Sequence, residues 1–146
     1  MDGMSIAVMC LALNVYFESS GEPPEGMAAV AHVTINRAKA KDVELCTVVA
    51  EEFQFSWANG GGIIRTSEGW YLSPALRKRV NREGLAWKNA ESIALAAFYT
   101  SDLTKGATHY HTTKVNPVWN RAPDMKYLRT IGAHKFYRFE PPTKEQ

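Results

Sequence analysis

Residues 4–25, MSIAVMCLALNVYFESSGEPPE, decide how the chain is read. Met4, Val8, Leu11 and Val15 follow the four, three, four spacing of one helix face, which predicts a first helix over residues 3–18. At about 100° per residue, Glu18 falls within roughly 40° of that apolar line. A carboxylate therefore stands where a hydrophobe belongs. Ser19, Ser20 and Gly21 break the helix, and Glu22-Pro23-Pro24-Glu25 restart one, with proline suited to a first turn and acids to its positive end. Glu18 lies at the resulting helix-to-helix corner. Desolvation and the negative end of the helix dipole would both raise its pKa, as a general acid near neutral pH requires. A solvated helix end, or pairing with a buried base, is the plainer reading of the same position.

Outward from the corner, Met27, Val30, Ala31, Thr34 and Ala38 predict a second helix over residues 24–38, closing a helical hairpin. A further helical segment spans Val43 to Glu52, before Phe53-Gln54-Phe55-Ser56-Trp57 and the loop Asn59-Gly60-Gly61-Gly62. The triple glycine lacks the Lys-Ser/Thr ending of a phosphate-binding loop. Ser73-Pro74 starts a helix through Arg82, and Lys88 to Asp102 forms another, with Ala90, Ile93, Ala94, Ala97 and Phe98 on one face. Residues 108–113 and 134–139 have the texture of short strands. No repeat or long linker divides the chain. The expectation is one α+β, mainly α domain over residues 1–140 and a loose tail over residues 141–146.

At 146 residues, 45% hydrophobic and 22% charged, the chain can bury a substantial core, and disorder is not indicated. The net charge of +2 conceals an asymmetry: residues 1–60 hold three basic and eight acidic residues, residues 61–146 fourteen and seven. A basic second part could favour an anionic polymer such as cell-wall material, although scattered surface lysines give the same count. No clustered basic helix or reader motif supports nucleic-acid binding. Cys10 and Cys46 are the only cysteines, and Cys10's apolar neighbours favour two buried free thiols. The segment Met4 to Val15 lacks a basic leader and is too short for a membrane span. These features predict a chain made in the cytoplasm without an export signal or stable membrane insertion.

Tyr16, Gln54, Phe55, Trp57, Tyr110, Asn116, Trp119 and Tyr137 are candidate cleft residues. Aromatic faces stack on sugar rings, and amides match N-acetyl groups; core packing is the competing use of each residue singly. His109, His111 and His134 invite a zinc reading, but no acid or cysteine stands at a recognisable ligand spacing, so neither metal nor cofactor is expected. A Gly-x-Ser-x-Gly element for Ser-His-Asp chemistry is absent from the sequence.

The run from Asn14 to Pro23, followed by Glu25 to Arg37, closely resembles the opening of the SleB-like, spore-cortex-lytic cell-wall hydrolase family. Phe53-Gln54-Phe55-Ser56-Trp57, Gly106-Ala107-Thr108-His109-Tyr110-His111 and Ile131-Gly132-Ala133-His134-Lys135-Phe136-Tyr137 agree with it in order. The resemblance implies a fold similar to lysozyme and lytic transglycosylases, and cleavage of peptidoglycan between N-acetylmuramic acid and N-acetylglucosamine. It implies that Glu18, the first glutamate of a Glu-x-x-Gly-Glu motif, is catalytic, with Glu22 in a structural part. Tyrosine can occupy the positions of His109 and His111 in that family. The small size also resembles single-domain phage endolysins, implying a monomer held in the host bacterial cytoplasm until a holin gives access to the wall. A lytic transglycosylase needs one carboxyl. A hydrolytic muramidase needs a second, for which Glu22, Asp42, Glu44, Glu51, Glu52 and Asp102 are available. A non-catalytic glycan-binding module is the reading from another class.

Overall fold

The computed structural model describes residues 5–56 and 62–141, with residues 53–56 described as helical backbone only. Met4, Trp57, the loop from Asn59 to Gly61 and the tail beyond residue 141 lie outside the described residues, as do the side chains of Gln54 and Phe55.

Ser5 opens α1 (Ile6–Ser19) by accepting the Val8 N–H on its hydroxyl oxygen at 3.2 Å, an N-cap bond. Cys10 through Val15 are all buried, so α1 is wrapped on every side through its middle, and not along one stripe alone. Leu11 and Leu13 are fully buried, each worth roughly 1.5–3 kcal/mol against leaving it in water. At the corner, the Glu22 N–H donates to Ser19 O at 2.9 Å, and Pro24 occupies the first turn of α2 (Pro24–Lys41). Met27, Val30, Ala31, Thr34 and Ala38 are buried as the spacing requires.

α3 (Leu45–Ser56) lies against α1 and α2. A hairpin of β1 (Ile63–Thr66) and β2 (Gly69–Leu72) follows, then α4 (Pro74–Arg79), capped by the Ser73 hydroxyl oxygen, and α5 (Leu85–Ala97). Trp87, Ala90, Ala94 and Ala97 form the buried side of α5, and the small alanines give α1 its most extensive helix contact.

The second sheet contains β3 (His109–Thr112), β4 (Met125–Ile131) and β5 (His134–Phe139) in the antiparallel order β3-β5-β4. A 3-10 turn (Val118–Arg121) precedes β4. Tyr110 pairs with Phe136 and His109 with Tyr137, so alternate residues face opposite sides. One side packs on α2: Ala29, Val30, Val33, Ala107 and Phe136 form a small core, with Tyr110, Leu128 and Ile131 at its edge. The architecture is α+β and mainly α.

The expectation of free thiols is corrected. Cys10 and Cys46 form a disulfide, with Cα atoms 5.3 Å apart, that ties α1 to α3. Apolar neighbours in sequence could show that Cys10 is buried. They could not show that α3 docks with Cys46 beside it. Among the described residues, no helix is long and apolar enough to cross a membrane.

Candidate functional site

Asn14 and Glu18 stand one helical turn apart on α1 and share a face. Asn14 is fully buried and spends its amide on both sides: Thr34 Oγ1 donates to its Oδ1 at 2.7 Å, and its Nδ2 donates to Glu52 Oε2 at 3.0 Å. Arg37 Nη1 from α2 stands 3.6 Å from Glu52 Oε1. One turn beyond Asn14, the Tyr110 hydroxyl reaches from β3 and donates to Glu18 Oε1 at 2.8 Å. Three helices and one strand thus bring two carboxyl groups, a phenol, an amide and a guanidinium together.

Glu18 itself is exposed, not buried at the end of the apolar stripe as anticipated. The stripe ends where the chain turns and the corner opens to solvent. Glu52 is the carboxyl that burial acts upon. Desolvation first, and the charge of Glu18 second, push it up to about 7, against the lowering pull of Arg37 and the Asn14 hydrogen bond. Tyr110 is held well above the usual phenol range by burial, then by the charges of Glu52 and Glu18. It therefore stays a neutral hydrogen-bond donor throughout the physiological range.

A cavity of about 280 Å3 opens beside Glu18, lined by Phe17, Ser19, Ser20, Gly21, Glu22, Thr112, Lys114, Ala133 and His134. A larger hollow of about 570 Å3 lies toward the C-terminal end of α2, lined by His32, Asn36 and Asp102 among others. It contains neither Glu18 nor Glu52, so the chemistry points to the smaller one.

The remaining acids are committed elsewhere. Glu22 Oε1 accepts the Ala133 N–H at 2.6 Å and lies 3.5 Å from His134 Nδ1, latching the α1–α2 corner to the β4–β5 turn. Asp42 ends α2, Glu44 meets Arg65 and Trp70 on the hairpin, and Glu51 pairs with Lys41. Burial pushes Asp102 up, but hydrogen bonds from Thr104, Asn36 and Gly106 more than offset this and hold it below the usual range. Glu52 was one of six candidates in the sequence. Its singular position comes from Asn14, 38 residues away, a relation that no local spacing reveals.

The other anticipated residues divide. Tyr16 packs edge-on against Phe17 and Trp87, with ring centroids 5.1 and 5.6 Å apart. Tyr137, Trp119 and Asn116 gather on the sheet face opposite Tyr110. There the Trp119 ring lies 5.2 Å from Tyr137 and 5.5 Å from both His109 and His111, and Asn120 donates to Asn116 Oδ1 at 2.9 Å. His111 Nδ1 lies 2.7 Å from Thr112 O, an acceptor, so Nδ1 carries hydrogen and Nε2 accepts from the Tyr137 hydroxyl at 2.9 Å. His134 belongs to the other face, edge-on to Tyr110 at 5.3 Å. Among the described residues, the histidines form no group with other ligand types that could hold a metal ion.

Comparison with solved structures finds the same fold in the catalytic domain of the germination-specific lytic transglycosylase SleB from Bacillus anthracis. The identity is 22%, the TM-score 0.66, and the match covers 94% of this chain and 99% of that one. The catalytic domain of the Bacillus cereus SleB protein gives 24%, 0.60, and 94% of each chain. No curated protein matches the sequence. A family model described as cell wall hydrolase matches residues 21–137, a span that starts just after Glu18 and takes in Glu52 and Tyr110. With most of its length inside that match, the chain belongs to the cell wall hydrolase family.

Proposed function

We propose that the chain cleaves peptidoglycan between N-acetylmuramic acid and N-acetylglucosamine as a lytic transglycosylase, with Glu18 as acid and then as base. The observation that carries this reading is the Tyr110 hydrogen bond to Glu18, a residue that also lines the corner cavity. The bond occupies Oε1 and leaves the second carboxyl oxygen for the sugar, while Ser20, Thr112 and Lys114 offer polar partners to its hydroxyl and amide groups. Protonated Glu18 gives its proton to the glycosidic oxygen as the bond to muramic acid C1 breaks. The carboxylate then takes the proton of the C6 hydroxyl, which closes on C1 to leave a 1,6-anhydro end. Throughout, the neutral Tyr110 keeps donating to the same carboxyl oxygen. The Bacillus anthracis protein of the same fold is described as a lytic transglycosylase, in keeping with this chemistry.

A hydrolytic muramidase is the second reading, and Glu52 is the observation that favours it. Its commitment to Asn14 and Arg37, with a side chain only 22% exposed, weighs against direct work at the sugar. An endolysin role, in which the chain leaves the host cytoplasm when a holin opens the membrane, belongs to the same proposal. The Cys10–Cys46 disulfide is in keeping with work outside a reducing compartment. Substituting Glu18→Gln tests the assignment: release of soluble fragments from purified peptidoglycan is expected to fall by about 10²-fold or more in a variant that melts like the wild type. Undiminished release would sink it.

A further inference from the structure

The face of the second sheet opposite Tyr110 carries a patch of aromatic rings. Tyr137 and Phe139 are alternate residues of β5, and Tyr127 pairs with Tyr137 across β4, so the three side chains share that face. Tyr127 stands edge-on to Tyr137 with ring centroids 5.6 Å apart, and Trp119 packs edge-on against Tyr137 at 5.2 Å. Tyr137 is buried beneath its neighbours, whereas Tyr127 is 52% and Phe139 45% exposed. The small core of this sheet, with Val30, Val33 and Phe136, lies on the other face, so core packing does not account for these two rings. Apolar groups gathered in one surface patch mark a contact site.

The surroundings of the patch fit a wall glycan. Aromatic faces stack on sugar rings. Asn120 donates to Asn116 Oδ1 and lies 3.3 Å from His111 Nε2 beside the rings, and such amides match N-acetyl groups. From residue 109 to residue 139, six charged residues are basic and one, Asp124, is acidic. Arg121, on the turn that carries Trp119, and Lys135, which shares the face of Tyr137 by alternation, are both exposed. Their sign suits the carboxylates that lactyl groups and peptide stems bring to a wall polymer. The patch also runs on to the corner cavity: His111 pairs with Lys135, and the next pair, Thr112 with His134, lines that cavity. Resting on peptidoglycan as the substrate, we propose that this face is a second glycan-binding site, on which Tyr127, Phe139 and Trp119 hold sugars of the wall strand away from the bond cleaved at Glu18. The site anchors the chain to the polymer and makes no contact with the reacting sugar.

The test is cosedimentation with purified insoluble peptidoglycan, using Glu18→Gln as the parent so that the wall is not consumed. Adding Tyr127→Ala and Phe139→Ala is expected to weaken binding about tenfold, with the melt retained because both side chains are exposed. Undiminished binding overturns the proposal. A soluble oligomer of N-acetylglucosamine is expected to displace the parent from the wall. Displacement by single-stranded nucleic acid and not by the oligomer would make the face a polyanion surface, and overturns the proposal as well. A second measurement needs neither cleavage nor the double variant: in NMR of the wild-type chain titrated with that oligomer, the ring signals of Tyr127, Phe139 and Trp119 are expected to move. Signals that move only around Glu18 and Tyr110 overturn the second site and leave the acid assignment standing. A wild type that releases no fragments from the wall removes the activity at Glu18, while the oligomer titration still decides the second site.

Discussion

Glu52 ties the chemistry of the site to the stability of the chain. Its carboxyl is pushed up from 4.5 to about 7 on folding, so across that window the folded chain binds a proton that the unfolded chain has released. Stability from this group is therefore full below about pH 4.5 and is lost as pH rises through 7. The whole shift corresponds to a ceiling on the order of 3 kcal/mol. Thermal melts should show the wild type losing stability between pH 5 and pH 8 more steeply than Glu52→Gln; parallel curves would contradict the assignment. Glu18 could be singled out in the sequence because a charge closing an apolar stripe is a local pattern. Its exposure could not, because the stripe says nothing of where the corner opens. Glu52 was one acid among several until Asn14 and Arg37 were seen to hold it.

Helices with an apolar period or a clear start signal were legible, and the short or interrupted strands β1, β2 and β4 were missed. α1, α2 and α5 followed their apolar spacing, although α5 begins at Leu85 and ends at Ala97, short of the anticipated Asp102. Asp102 accepts from the N–H groups of Thr104 and Gly106 and holds a loop in place of another helical turn. β4 has no clean alternation because a bulge interrupts its pairing between Tyr127 and Arg129, and β1 and β2 have only four residues each. The β4–β5 turn depends on Gly132, at φ +58, where an added Cβ would lie 2.5 Å from Glu22 Oε1. Gly132→Ala is therefore expected to cost about 1–3 kcal/mol in denaturant unfolding, because the left-handed backbone is strained and Glu22 must leave Ala133. A change within a few tenths of a kcal/mol would show that the corner latch does not constrain this turn.

Across the whole molecule, the disulfide joins the helix that carries Glu18 to the helix that carries Glu52. It closes a loop of sequence separation 36, for which chain entropy gives about 3–4 kcal/mol. A reductant should accordingly lower the Tm by on the order of 10 °C, and an unchanged melt would mean that the two helices hold together without it. This cross-link was the largest feature of the fold that the sequence concealed, because pairing two cysteines requires knowing which helices meet. The central claim, that one carboxyl at the sugar drives cleavage with internal ring closure, is tested most directly by mass spectrometry of the fragments released from purified peptidoglycan. The wild type is expected to release 1,6-anhydro-muramic ends, and folded Glu18→Gln none. Reducing muramic ends, heavier by one water, would contradict it and make the enzyme a hydrolytic muramidase.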